Sequence, residues 1–233
     1  MRKNLIVVRA GDHSLHRRWM DDSRIRSFDL LVSYYGATPG RHESRADHYH
    51  VMRGPRWPAH DWLWRNRRDL FDAYERVAFV CDDVDATTAT WNAMFDLVEF
   101  YELDLAQPAL GGYVNVGITF PVPGSLLRYV NWVEVMCPVF SRRGLARCGD
   151  TFRESVSGWS LGWLWNARLP YPDYKIAIVD RVRVMHTSQT RQGTLRPVLD
   201  ALGIDPAVEA PAMLERLGIV KPERVEYGRL PLG

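Results

Sequence analysis

Short apolar runs alternate with polar turns along the first half of the chain, and their order predicts strands interleaved with helices. Leu5-Ile6-Val7-Val8 reads as a first strand, ending at the small-residue turn Arg9-Ala10-Gly11-Asp12. Trp19 to Arg26 reads as helix or loop, Phe28 to Tyr35 as a second strand closed by Gly36, and polar Thr38 to Asp47 as a loop. His48 to Met52 is a third short strand, and Pro55 to Pro58 a turn. From Asp61 to Arg76, apolar residues recur at helical period and lead into the strand Val77-Ala78-Phe79-Val80. A helix capped by Thr87 or Thr88 follows, with Trp91, Met94, Phe95, Val98 and Tyr101 on one face.

The second half is less regular. Leu105 to Leu110 leads into a glycine loop at Gly111-Gly112, and Tyr129 to Phe140 reads as a strand with Glu134 inside it. Ser141 to Phe152 and Ser157 to Trp165 read as helices, Lys175 to Val179 as a strand ending at Asp180, and Val182 to Met185 as its extension to His186. From Leu195 a helical pattern is interrupted by Pro206, Pro211 and Pro222. The expected architecture is α/β: one domain over residues 1–190, with a mixed, mostly parallel sheet flanked by helices. Residues 191–233 form a helical extension packed on it. No repeat, low-complexity stretch or linker divides the chain.

One stretch carries the chemistry. The apolar run from Val77 stops in Asp82, Asp83 and Asp85. Three unpaired carboxylates cannot follow a strand into the core. They belong at the strand's C-terminal end, where open α/β sheets bind ligands. Their mutual repulsion is relieved by a hard divalent cation with oxygen ligands.

Composition narrows the classes. The 233 residues are 46% hydrophobic and 25% charged, ordinary globular values. A net charge of +2 lacks the basic excess of a nucleic-acid binder. Cys81, Cys137 and Cys148 are odd in number and lack CxxC spacing, so neither a disulfide framework nor a zinc site is indicated. No run reaches signal-peptide or membrane-spanning length, and the expected location is the cytoplasm. Nine tryptophans point to a heavy aromatic core, with some available to line a cleft.

Asp83-Val84-Asp85 resembles the D-x-D motif of GT-A glycosyltransferases, with a strand before it and a helix after it. Five segments in order resemble the domain-of-unknown-function family numbered 707, a family related to nucleotide-sugar transferases. They are Phe79 to Asp85, Leu105 to Leu110, Trp132 to Ser141, Ser157 to Trp163, and Ala177 to Thr187. With the opening Lys3 to Asp12, the resemblance covers most of the chain through His186. It implies a GT-A-like, Rossmann-like fold, a nucleotide-diphosphate sugar as donor and a glycan or other hydroxyl acceptor. One departure stands out: the family's tryptophan segment carries an acid where this chain has Gly162.

On that resemblance, Mn²⁺ or Mg²⁺ is expected on Asp83, Asp85 and His186, and nucleotide on Arg9, Ala10, Gly11, Asp12, Asp82 and Asp83. Trp57 and Arg65 are candidates for the diphosphate side, and Trp159 and Trp163 for the acceptor. The catalytic base is Glu134, an acid in an apolar strand, or Asp180; Glu154 is a third candidate near Gly162. Each has a plainer alternative. The acids can be a solvated helix start, His186 a structural histidine, Glu134 a partner of an arginine such as Arg128, and the tryptophans core. Cys81 reads as a small buried residue. Two rival functions stay open: a GT-A-like domain that binds without catalysis, which Gly162 favours, and a metal-dependent phosphohydrolase.

Overall fold

The computed structural model describes residues 2–189 and 195–233, so the expected junction between residues 190 and 191 lies outside the described residues. Ten strands form one sheet. They are β1 (Asn4–Ala10), β2 (Phe28–Tyr34), β3 (His48–Val51), β4 (Arg76–Cys81), β5 (Val84–Asp85), β6 (Leu105–Gly112), β7 (Ser125–Val130), β8 (Val139–Ser141), β9 (Ile176–His186) and β10 (Glu226–Pro231). The order across the sheet is β10-β7-β9-β6-β8-β4-β1-β2-β3, with β5 paired to β9. β3, β2, β1 and β4 run parallel, and β6 and β9 run parallel. β8, β7 and β5 run against their neighbours, so every other strand shares one direction. The expected mixed, mostly parallel α/β sheet is present.

Alternation along β1 sets the two layers. Leu5 and Val7 enter one core cluster while Ile6 and Val8 enter the other, and all seven strand residues are buried. A central strand covered on both faces requires this near-continuous apolar run. Helices α1 (Arg56–Asn66), α2 (Arg68–Asp72), α4 (Arg142–Cys148) and α5 (Leu161–Arg168) contribute to the first cluster. Helix α3 (Thr88–Phe100) covers the second through Trp91, Met94, Phe95 and Val98, the face its period predicts. Thr87 caps α3 reciprocally with Thr90, an arrangement worth about 1 kcal/mol.

Several local expectations change. The stretch is already helix from Arg56, because Pro58 falls in the first turn of α1, where an amide hydrogen is dispensable. The helix expected over 61–76 divides at Arg67, where the backbone leaves helical geometry and the Asn66 side chain satisfies the Trp62 carbonyl. Residues 129–140 are not one strand. The chain leaves β7 after Val130 and crosses the face of the sheet, and β8 begins only at Val139. Glu134 sits in that crossing.

β6 runs on through the glycines. Pro108 cannot donate to a ladder, and the pairing with β9 jumps from Pro108–Val179 to Ala109–Arg183. The resulting bulge on β9 carries Asp180. Gly112, at φ 80°, ends β6 so close to β9 that a Cβ there would overlap the His186 carbonyl.

The C-terminal segment is not wholly helical. After α6 (Leu195–Ala201) and α7 (Pro206–Arg216), the chain returns to the sheet as β10, an edge strand antiparallel to β7. Pro206 occupies the first position of α7, which suits its fixed φ and missing amide hydrogen. Among the described residues, no helix is long and apolar enough to cross a membrane.

Candidate functional site

The parallel strands β1, β2, β3 and β4 deliver their C-terminal ends to one edge of the sheet. A cavity of about 250 Å³ opens there. Its walls include Arg9, Tyr35, Arg56, Asp82, Asp83, Glu134, Trp159 and His186, side chains far apart in sequence.

The two acids after β4 do different things. Asp82 Oδ2 accepts from the Gly11 amide at 2.8 Å and from the Tyr35 hydroxyl at 3.0 Å. Burial raises its pKa, and the neighbouring Asp83 charge adds to the rise. Asp83 faces β9: its Oδ2 lies 3.2 Å from His186 Nε2. Burial alone would raise the Asp83 pKa, but His186 and Ser188 hold it below the ordinary value. Oδ1 of Asp83 is buried and has no partner among the described residues. His186 donates Nδ1–H to the Tyr113 carbonyl at 2.9 Å, which aims Nε2 at Asp83. Burial opposes its protonation, yet the Asp83 carboxylate outweighs burial and the His186 pKa is raised.

Glu134 reaches the same cavity from the crossing segment. Its backbone N–H donates to the Gln107 side-chain carbonyl, and its Oε1 accepts from the Val135 amide at 2.9 Å. Burial raises its pKa, against the pull of Arg56, Arg224 and His186. Arg56, at the start of α1, donates to the Val135 carbonyl at 2.6 Å and to the Cys81 thiol, and stacks on Trp57. Cys81 is half-buried rather than buried, and burial pushes its thiol up to about 12, so it stays unreactive at neutral pH.

Other expected residues lie elsewhere or have other duties. Asp85 is turned away: it forms a 2.8 Å ion pair with Arg18 and does not join Asp83 and His186. Asp180 is fully buried in a bidentate pair with Arg128 and also accepts from the Val122 amide, outside the cavity lining. Arg128 therefore pairs with Asp180 and not with Glu134. Glu154 pairs with Arg216 and Arg65 with Asp61. Asp12 braces the loop after β2 through the Tyr34 hydroxyl and the Ala37 amide, while Gly11 serves Asp82 through its amide. Ala10 is wholly buried as the last residue of β1. Arg9 lines the cavity with its guanidinium held by Ser33, Met52 and Gly54, and burial lowers its pKa to about 10.

Of the tryptophans, Trp57 and Trp163 are core, whereas Trp159 is 43% exposed and lines the cavity. Gly162 is a packing glycine. A Cβ there would overlap the Val133 carbonyl, one residue before Glu134.

Arg56, Tyr35 and Gln107 are site residues that the sequence pattern does not single out. Gln107 had a signal: it is a polar residue inside a buried strand, wholly inaccessible to solvent, and such residues need partners.

No family model matches this chain, and no curated protein does. Solved structures do match. The chain is similar to residues 1–349 of S. aureus TarS in complex with UDP, at 14% identity and a TM-score of 0.52, covering 93% of this chain and 71% of that one. It is similar to the same TarS fragment in a second structure, at 12% identity, a TM-score of 0.50 and the same coverage. A protein of Desulfovibrio desulfuricans G20 described as a nucleotide-diphospho-sugar transferase aligns at 12% identity and a TM-score of 0.45, over 93% of this chain and 98% of that one. The fold is GT-A-like, a doubly covered α/β sheet with its cavity at the strand ends.

Proposed function

We propose that the chain is a metal-dependent glycosyltransferase that takes a nucleotide-diphosphate sugar as donor. Membership of the family numbered 707 belongs to the same proposal and is supported by the five ordered segments. The observation that carries it is the meeting of Asp82 and Asp83, His186 and Glu134 in one cavity at the C-terminal strand ends. UDP in the similar TarS structure supports a uridine or related nucleotide as the ligand class.

The residues present fit a hard divalent ion, though not through the whole D-x-D pair. Asp83 keeps a buried, unpartnered Oδ1, and its Oδ2 lies 3.2 Å from the aimed nitrogen of His186. Two ligands side by side on octahedral Mg²⁺ or Mn²⁺ stand about 3 Å apart, close to this spacing. Among the described residues no three of His, Cys, Asp and Glu cluster as a complete cage. Asp83 and His186 would hold such an ion, and its other positions would go to phosphate oxygens and water, the usual habit of these ions. The ion would supply Lewis-acid stabilisation of the leaving diphosphate.

The chain's own groups divide the remaining tasks. Asp82, fixed by Gly11 and Tyr35, faces the nucleotide side, and Arg56 adds positive charge beside the diphosphate. Glu134 serves as base. The acceptor oxygen forms a bond to the anomeric carbon, its proton passes to the Glu134 carboxylate, and the bond to the diphosphate oxygen breaks with its electron pair leaving on the nucleoside diphosphate. A pKa raised by burial makes the Glu134 carboxylate a stronger proton acceptor.

The test is a melting series with UDP and GDP, with and without Mn²⁺, followed by hydrolysis of the matching nucleotide sugars. At a hundredfold excess over Kd, binding adds about 2.7 kcal/mol, a rise of roughly 5–10 °C for a chain of this size. A rise with slow hydrolysis is expected. Absence of any nucleotide-induced rise overturns the reading, and a rise without turnover makes the chain a binding protein instead.

A further inference from the structure

The cavity has a second wall that the nucleotide reading leaves unused. Apart from the strand-end acids it is built from Val135, Met136, Trp159, Val198, Leu199 and Pro206. Four elements supply these residues: the Glu134 crossing, the loop before α5, α6, and the start of α7. A surface meant for a hydroxyl-rich sugar would offer several hydrogen-bonding side chains. This one offers mainly hydrocarbon and one indole, with Ser157, Ser188 and Gln189 as its uncharged polar members. Its charged members are largely spent: Arg196 is paired to Asp200 at 2.8 Å, and the Asp205 carboxylate caps α7 through the Ala207 amide.

The wall is preassembled. Glu209 of α7 accepts from the Ser155 hydroxyl and from the amides of Val156 and Ser157, at 3.0, 2.6 and 3.0 Å. Three donors on one carboxylate clamp α7 to the loop that carries Trp159. Met213 and Leu214 anchor the same helix in the first core cluster. Val135 follows Glu134 directly, so the apolar surface begins at the base.

Resting on the transferase reading, we infer that the acceptor is an apolar compound bearing a hydroxyl group, an aryl or alkyl alcohol, and not an oligosaccharide. Its hydrocarbon part lies on Trp159, Val198 and Leu199, and its hydroxyl points to Glu134. That oxygen bonds to the anomeric carbon, its proton goes to Glu134, and the nucleoside diphosphate departs with the electrons of the broken bond. Burying the hydrocarbon against this wall contributes about 25 cal/mol per Å² removed from water.

The experiment measures binding of 2-naphthol and of cellobiose by calorimetry to the full chain, and of UDP with Mn²⁺ in parallel. Expected is saturable naphthol binding, no measurable cellobiose binding, and at least a tenfold loss of naphthol affinity in Val198→Asp with UDP binding unchanged. Val198→Asn, milder for the fold, is expected to lose affinity in the same direction, and melting curves of both variants report folding. Cellobiose binding in preference to naphthol overturns the inference, as does naphthol binding that neither variant weakens. Failure of both probes while UDP binds also overturns it. Naphthol binding sensitive to Val198 with no UDP binding supports the wall's ligand class and sinks the transferase reading, so the two failures stay separate.

Discussion

His186 Nε2 lies 3.2 Å from Asp83 Oδ2, joining the end of β9 to the loop after β4. His186 is oriented from behind by the Tyr113 carbonyl, and the Asp83 main-chain carbonyl accepts from the Thr187 hydroxyl at 2.8 Å. Orienting partners of this kind typically govern metal affinity by about 10–100-fold.

Asp83→Ala and His186→Ala are each expected to remove the Mn²⁺-dependent part of nucleotide binding. Asp85→Ala is expected to keep it, because Asp85 is engaged with Arg18 at the surface in a pair worth about 0–1 kcal/mol. Melting curves with UDP, with and without Mn²⁺, separate the three variants. Equal losses in all three would place Asp85 among the ligands after all.

Glu134→Gln is expected to lower kcat by about 10²–10⁴-fold with nucleotide affinity unchanged. Gln107→Leu removes the acceptor of the Glu134 amide and leaves that amide unpaired. A smaller fall in kcat with an unchanged KM for the nucleotide sugar marks Gln107 as a positioning residue. A rise in KM alone would instead tie Gln107 to substrate binding.

Asp180→Asn tests the other acid proposed as base. Removing one partner from a buried pair costs about 3–5 kcal/mol, because Arg128 is then left uncompensated. The variant is expected to unfold at lower urea yet to turn over at the parent rate while folded. A selective loss of kcat at full stability would return Asp180 to the chemistry.

Stability is expected to fall in acid. His60 packs between Trp57 and Phe79, is fully buried, and has no partner on either ring nitrogen among the described residues. Burial holds its pKa well below 6.5 and that of His16 down to about 3. Below about 6.5 the unfolded chain takes up protons that the folded chain refuses, so this stability is whole above that pH and is lost as pH falls toward the folded values. His186 has the opposite sign, since its raised pKa favours the fold at low pH and the benefit goes as pH rises through the folded value. Burial lowers His42 and His50 as well, so four histidines act against one. Urea midpoints at pH 7.5 and 5.5 check the direction, and His60→Leu is expected to flatten the decline by at most about 1.4 kcal/mol per pH unit. An unchanged slope would clear His60 of any part in it.

β1 and α3 are legible in the sequence because burial alone dictates them: an unbroken apolar run in one, a 3.6-residue stripe in the other. The cluster of acids after β4 is legible for the same reason in reverse, as charge that the core rejects. What escapes is set by distant partners. Arg18 claims Asp85 and Arg128 claims Asp180, and no local pattern records either pairing. Glu134 is found as an oddity in an apolar run, but the crossing that carries it depends on Gln107 and Met136 pairing with other segments. The return of the last residues as β10 is hidden because an exposed edge strand, with two prolines near it, lacks an apolar alternation.

The packed glycine at 162 ties two distant segments together. An acid at this position would demand room that the Val133 carbonyl occupies. Retreat of Val133 would drag the adjoining Glu134 with it. Substitutions at 162 and in the 133–134 segment are therefore coupled: a side chain at 162 needs a compensating change at Val133.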